Sequence, residues 1–200
     1  MQLENYYWCF HGAIPSRICD DIVAYGKELK EQAGVTFGYD PDNMTPNEQK
    51  KLEKQRSSNV VWMDPVWIYR ELHPLVHEAN ANAGWNFQWD YSESCQFTKY
   101  VGSKKQHYDW HTDSGPRKNE NGKIRKLSMT VALVDGSEYE GGDFEVNLNE
   151  PKKEAIHVIK PARLKGSVTI FPSFVWHRVT PVTSGTRYSL VNWHQGWPHT

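Results

Sequence analysis

The residues best equipped for chemistry in this chain are His111-Thr112-Asp113 and, far along the sequence, His177. Side chains two apart on a strand point to the same face, so an imidazole at 111 and a carboxylate at 113 would project together. With His177 they make a set of two histidines and one carboxylate. Such a set covers one face of an octahedral ion and leaves three positions open, the arrangement of non-haem Fe(II) centres. Zinc accepts the same ligands in a catalytic site with an open position. The chain has nine histidines, so an HxD triplet carries little weight alone.

Arg187 follows His177 on the next apolar run. A planar guanidinium suits a bidentate grip on a carboxylate in a buried pocket. The competing reading is an arginine paired with a structural acid. Ser189, on the same face as Arg187, can add a hydroxyl to the same carboxylate. Tyr100 ends the run before His111, and its phenol either reaches this pocket or is a core tyrosine with a solvated hydroxyl. Trp110 and Trp176 adjoin two of these histidines and, on strands, face away from them as packing. Gly141-Gly142 reads as a tight turn. Asp143 and Glu145 just beyond it are spaced like an acid–base pair, but a solvated turn is the preferred reading.

These residues need elements to position them. In the stretch from Gly166 to Trp193, Val168, Ile170 and Phe171 predict one strand, and Tyr188, Leu190, Val191 and Trp193 a second. Pro181 and Ser184-Gly185 supply turn chemistry between them, with His177 at the corner. Further short β-rich runs are Cys95–Val101, Tyr108–Thr112, Leu127–Val134, Gly142–Leu148 and Ala155–Ile159, separated by Gly, Pro, Asn and Asp clusters. Strands at this spacing argue for a sandwich or jelly-roll barrel.

The first ninety or so residues differ. Tyr6 to Ile14 reads as a short lead-in strand. A helix is predicted from Pro15-Ser16, with Ile18, Ile22, Val23 and Leu29 at helical spacing and Gly34 at its end. Residues 35–58 are polar, with Pro41 and Pro46, and read as either disordered or a functional flap. Within them Asn47–Arg56 is charged enough for a turn or two of exposed helix. Asn59–Trp62 suits a short strand. Asp64 is the expected N-cap of a second helix, with Pro65 at its first position. Trp67, Ile68, Leu72, Leu75, Val76 and Ala79 form its buried face, and Gly84 closes it. Helices followed by a barrel make the chain α+β, one domain over 1–200, with 1–92 as support and flap and 93–200 as the core.

Composition sets the outer bounds. Two hundred residues suffice for one stable core. A formal charge of −1 offers no footprint for a polyanion, which weighs against nucleic acid. Cys9, Cys19 and Cys95 are odd in number and far apart, as suits reduced thiols. The N-terminal residues lack the pattern of a signal peptide, and no apolar run approaches a membrane span, so the expected location is the cytoplasm. Nine tryptophans and ten tyrosines point to a large aromatic core, or to aromatics lining a groove.

Four motifs in order carry a resemblance: HTD at 111–113, EGGDFEV at 140–146, KGSVTIFPSFVWHRVTPVTSGTR at 165–187 and RYSLVNW at 187–193. Over roughly Cys95 to Trp193 the chain resembles the Fe(II)- and 2-oxoglutarate-dependent dioxygenases. The nearest branch is the prolyl 4-hydroxylase-like group, especially microbial and phage PKHD-type hydroxylases. The resemblance implies a double-stranded β-helix fold with N-terminal supporting helices. It implies His111, Asp113 and His177 as iron ligands, and Arg187, Ser189 and Tyr100 as contacts of 2-oxoglutarate. Trp193 matches an aromatic near the iron. Ala132 falls where relatives often carry an aromatic, so that contact is either missing or made by Thr130. Val191 replaces a small polar residue of some relatives. Ascorbate is implied as an accessory cofactor.

The implied reaction couples oxidative decarboxylation of 2-oxoglutarate, giving succinate and CO2, to hydroxylation of a C–H bond. The resemblance favours a prolyl side chain in a peptide or protein. A small molecule, a modified nucleobase and a barrel that binds without turnover stand as alternatives. Three polar segments could cover the pocket mouth: Gly34–Ser58, Ser114–Lys126 and Asn149–Lys160. The middle one carries Arg117, Lys118, Lys123, Arg125 and Lys126 and reads as either a lid or a solvated hairpin loop.

Overall fold

A computed structural model describes residues 5–36, 43–115, 118–148 and 155–198. Arg117, Pro41 and the first part of the Asn149–Lys160 segment lie outside them. The chain opens with β1 (Trp8–Phe10), α1 (Ser16–Glu28), β2 (Gln32–Ala33), α2 (Pro46–Gln55), β3 (Arg56–Ser57), β4 (Asn59–Met63), α3 (Val66–Asn82) and β5 (Tyr91–Ser92). It continues with β6 (Cys95–Val101), β7 (His107–His111), β8 (Ile124–Ala132), β9 (Tyr139–Gly141), β10 (Phe144–Asn147) and β11 (Ile156–Val158). The last strands are β12 (Val168–Pro172), β13 (Trp176–Val179) and β14 (Val182–Gly196).

Two antiparallel sheets face each other. The larger runs β1-β12-β8-β14-β6-β4-β2, and the smaller runs β11-β10-β13-β7-β3. From β6 onward the chain steps between them: β6 large, β7 small, β8 large, β10 small, β12 large, β13 small, β14 large. That winding is the jelly roll.

Strand alternation decides which face does what. On β6, Cys95 and Phe97 join the apolar cluster that Cys19 and Ile22 of α1 and Ile68, Leu72 and Val76 of α3 complete. The intervening Gln96, Thr98 and Tyr100 point into the space between the sheets. Gly26 of α1 lies so close to Phe97 that a Cβ there would sit 2.8 Å from the ring. The helices thus cover the outer face of the large sheet and leave its inner face to polar side chains.

The N-terminal half departs from expectation in three places. Helix α1 stops at Glu28, and Leu29 is already extended, because Gln32 and Ala33 pair with Val60 and Asn59 as an edge strand. The polar segment builds α2 on a capping box, in which the Thr45 hydroxyl accepts from Glu48 N–H and the Glu48 carboxylate accepts from Thr45 N–H. It then adds β3 to the small sheet, with Arg56 opposite Tyr108. Asp64 does not cap α3. Pro65 holds the N-cap position, and the Asp64 carboxylate accepts instead from the Tyr69 hydroxyl at 3.2 Å.

Two further corrections concern the C-terminal stretch. It contains three strands, since His177 lies on β13, a strand of its own in the small sheet. Ser184 and Gly185 do not turn the chain; they are inside β14, paired with Glu140 and Tyr139 of β9. No helix among the described residues is long and apolar enough to cross a membrane.

Behind the large sheet a histidine group packs α3 against β14. Ser92 Oγ bridges His73 Nε2 at 3.0 Å and His194 Nδ1 at 2.9 Å, and Trp89 packs against all three rings of His73, His77 and His194. Burial, followed by the nearby His73 and His77, pushes the His194 imidazole down to about 3 from its ordinary 6.5. The folded state therefore takes up this proton less readily than the unfolded chain. The contribution is full above pH 6.5 and is lost as pH falls toward about 3. Urea denaturation of the metal-free protein between pH 7 and 4 should lose stability on this limb. H194Q should flatten it by up to about 1.4 kcal/mol per pH unit.

Candidate metal and carboxylate site

Pairing between β7 and β13 sets His177 directly opposite His111, with ring centroids 4.1 Å apart. Asp113 lies just past the end of β7, where its backbone N–H and that of Ser114 both donate to the Ser173 carbonyl, at 2.8 and 2.9 Å. This turn brings its carboxylate between the rings. His111 Nε2 is 3.7 Å from one Asp113 oxygen and His177 Nε2 is 3.5 Å from the other. All three side chains are nearly inaccessible. Among the described residues they form the one group of three potential ligands close enough to share an ion.

The protonation states suit that role. His111 Nδ1 meets the Asp109 carbonyl at 2.7 Å and His177 Nδ1 meets the Val175 carbonyl at 3.0 Å. A carbonyl only accepts, so each Nδ1 carries the proton and each Nε2 presents its lone pair to the shared point. Burial, with the neighbouring His177, pushes the His111 imidazole down to about 3, so it is neutral near pH 7. Burial alone would raise the Asp113 carboxyl. His177, His111, Arg125 and the Ser128 hydroxyl together outweigh it and hold it at about 2. Metal–ligand bonds of about 2.1 Å at right angles or wider place donor atoms roughly 3–4 Å apart, as each imidazole nitrogen is from an Asp113 oxygen. The donor set fits a divalent ion of the iron or zinc type and leaves coordination positions facing the pocket.

The same pocket receives Arg187, Ser189, Tyr100, Thr130 and Trp193 from the large sheet. Arg187 is only 3% exposed, yet no carboxylate of the described residues pairs with it. Its Nη1 donates to Ser189 Oγ at 3.1 Å, and the guanidinium lies 5.4 Å from the Tyr100 ring centre. The structural-acid reading of Arg187 is therefore set aside. The Tyr100 phenol is fully enclosed, and burial raises its pKa against the pull of Arg56 and Arg187. Thr130 lines the pocket while Ala132, although buried, is not on its wall. Gly142 makes room for the arginine: its φ is +65°, and a Cβ would stand 3.0 Å from Arg187 Cδ.

Other sequence readings resolve differently. Asp143, in the turn between β9 and β10 and open to solvent, pairs with Arg163 at 2.9 Å, whereas Glu145, buried on β10, pairs with Arg178 at 2.6 Å; these acids are not an acid–base pair, and the solvated-turn reading fails for Glu145. Trp110 stacks under the Arg178 guanidinium at 4.7 Å and Trp176 is half-exposed, both away from the imidazoles. Arg125 and Lys126 belong to β8 rather than to a loop. Arg125 forms a two-point pair with Glu93 and covers the Trp193 ring at 4.0 Å. Lys118 lies in the loop before β8, and Lys123 at its end pairs with Asp90.

Sequence reading missed Arg56, Tyr108, Gln96 and Thr98, all of which line the pocket. Tyr108 stacks on His111 with ring centres 3.5 Å apart. Arg56, expected on an exposed helical turn, is 5% exposed and lies over the Tyr108 ring at 4.5 Å. The alternation of Gln96, Thr98 and Tyr100 on β6 was a usable signal for that strand. Arg56 had none, since it closes a charged segment and owes its burial to the pairing of β3 with β7.

Comparison with known proteins agrees with this geometry. The family model of the 2OG-Fe(II) oxygenase superfamily matches residues 95–195. A PKHD-type hydroxylase of Hyphomonas neptunium is 38% identical over 185 residues, covering 89% of this chain and 73% of that protein. Alignments to several other PKHD-type hydroxylases cover only 36–41% of their length. Among solved structures, a Pseudomonas putida prolyl-4-hydroxylase superposes with a TM-score of 0.66 at 19% identity, covering 98% of this chain and 95% of that one. A prolyl hydroxylase of Trichoplax adhaerens, in complex with a hypoxia inducible factor peptide, gives 0.68 at 18% identity, covering 96% of this chain and 84% of that one. At such identity these likenesses speak for the fold. The family match and the Hyphomonas relative carry the assignment: the chain belongs to the 2OG-Fe(II) oxygenase superfamily, among relatives of the PKHD-type hydroxylases.

Proposed function

We propose that this chain, as one domain over 1–200, is an Fe(II)- and 2-oxoglutarate-dependent dioxygenase that hydroxylates a C–H bond, with a prolyl residue of a peptide or protein as the favoured substrate. The observation that carries the reading is one pocket lined both by a three-donor metal set and by a buried Arg187 that no carboxylate of the described residues pairs with. A zinc hydrolase with the same ligands has no use for that arginine. A binding module without turnover has no need of an intact ligand set. The prolyl preference draws support from the PKHD-type relative and from the prolyl hydroxylases of like fold.

His111, Asp113 and His177 would hold the iron, with the His111 imidazole neutral and the Asp113 carboxyl ionised before it binds. Arg187 would grip the distal carboxylate of 2-oxoglutarate, with the Ser189 and Tyr100 hydroxyls as further donors and Thr130 beside them. When bound, iron and cosubstrate together supply oxidative decarboxylation to succinate and CO2, coupled to oxidation of the substrate C–H. Phe144, Phe171 and Val179 line the wall around the metal set and exclude water from it. Trp193 would flank the substrate: its indole N–H is buried and has no partner among the described residues, so a bound molecule can accept from it. No residue of this chain is assigned to ascorbate.

Anaerobic addition of Fe(II) and 2-oxoglutarate should produce a weak visible charge-transfer band from the iron-bound keto acid, and its absence would falsify the cosubstrate assignment. D113A should abolish the band through loss of metal, read independently by metal analysis of the desalted protein. R187A should weaken 2-oxoglutarate binding by about 2–5 kcal/mol, the cost of truncating one partner of a buried charge pair. Affinity equal to that of the unsubstituted protein would remove Arg187 from the role. Succinate release, screened against proline-containing peptides, free amino acids and oligonucleotides, tests the substrate class.

A further inference from the structure

The pocket contains a second buried guanidinium that the proposed reaction has not used. Arg56 is held by three neutral acceptors: Nε donates to Ser58 Oγ at 2.9 Å, Nη1 to the Val35 carbonyl at 3.0 Å and Nη2 to Gln96 Oε1 at 2.7 Å. Its plane lies over Tyr108. Gly34 leaves the space it needs, since a Cβ there would stand 2.6 Å from Arg56 Nε. Three of the five donor hydrogens are thus committed to fixing the group, and one on each Nη remains. No carboxylate of the described residues lies within ion-pair distance of it.

A guanidinium kept from water without a counter-charge is costly, and neutral acceptors offset only part of that cost. The charge balance of the pocket sharpens the point. Arg56, Arg187 and a divalent ion face one carboxylate, Asp113, because Arg125 is already neutralised by Glu93. Three positive charges are left over. The 2-oxoglutarate dianion removes two, and one remains.

The cosubstrate does not have a carboxylate for both arginines. With one carboxylate of 2-oxoglutarate gripped by Arg187 and the other at the metal set, neither would be left for Arg56. The two remaining Nη hydrogens of Arg56 then belong to the same pocket wall as the Trp193 indole N–H, which has no partner among the described residues.

We infer that Arg56 anchors a carboxylate carried by the molecule being oxidised, so that the substrate of this pocket is an acid. This rests on the proposed function, with 2-oxoglutarate held between metal and Arg187. The carboxylate can belong to a free or N-acylated amino acid or to the terminal residue of a peptide; the chemistry at Arg56 is the same.

The test titrates two matched pairs into the anaerobic protein loaded with Fe(II) and 2-oxoglutarate, followed by calorimetry. One pair is N-acetyl-L-proline and its amide. The other is acetyl-Ala-Pro-Ala with a free and with an amidated C-terminus. In at least one pair the acid should bind about tenfold or more tighter than the amide, a difference of about 1.4 kcal/mol. The pair that discriminates identifies the source of the carboxylate. R56Q should abolish the difference and R56K should keep part of it. Equal affinities for acid and amide, binding of neither acid, or undiminished discrimination in R56Q overturns the inference. Loss of the 2-oxoglutarate band in R56Q also overturns it, by giving Arg56 to the cosubstrate. Absence of the band in the unsubstituted protein instead removes the cosubstrate assignment, and this inference with it.

Discussion

The site depends on one strand pairing, that of β13 with β7. It places His177 opposite His111, and the turn held by Ser173 then brings Asp113 between the two rings. A slip of one residue would send each imidazole to the far face of the sheet, because strand side chains alternate. Register is fixed by what flanks the pair. Phe144 and Phe171 pack against His177, Tyr108 stacks on His111, and the Asp109 and Val175 carbonyls hold both ring Nδ1 atoms. Two donors of the candidate metal set are thus placed by sheet geometry and the third by a turn that two backbone hydrogen bonds hold.

A second constraint is the polarity of the barrel interior. Jelly-roll sheets normally bury apolar side chains between them, but here the large sheet directs Gln96, Thr98, Tyr100, Thr130, Arg187 and Ser189 inward. Stability comes instead from the other face, where α1 and α3 lie on Phe97, Leu127, Val131 and Leu190. The helical half of the chain is in this sense part of the active site. It supplies the apolar burial that lets the inner face stay polar. It also contributes directly, since β3 carries Arg56 and the Val35 carbonyl helps to aim it.

Each of the two buried arginines is accommodated by a glycine, Gly142 beside Arg187 and Gly34 beside Arg56. A long cationic side chain can be enclosed only if the backbone gives it space and acceptors orient its donors. Both conditions hold at both positions, although the two glycines and the two arginines come from four separate parts of the chain. The pocket is consequently electropositive before anything binds, which favours anionic ligands.

The sequence by itself determined the residues with local signatures. Alternating apolar positions marked β6, β8 and the β12 region, and HxD placed an imidazole and a carboxylate two apart. The order of four motifs tied them to His177 and Arg187. What it could not determine depends on pairing between distant segments. His177 looked like a corner residue because Trp176–Val179 is too short to show a period, and only its partners β7 and β10 make it a strand. Residues 35–58 read as either disordered or a flap because their composition is polar, yet β3 is fixed by edge pairing with β7. Arg56 was invisible for the same reason. Burial of a charge is decided by what surrounds it in three dimensions, and its acceptors come from positions 35, 58 and 96. Composition and spacing record what a residue can do; tertiary pairing decides whether it faces water or the pocket.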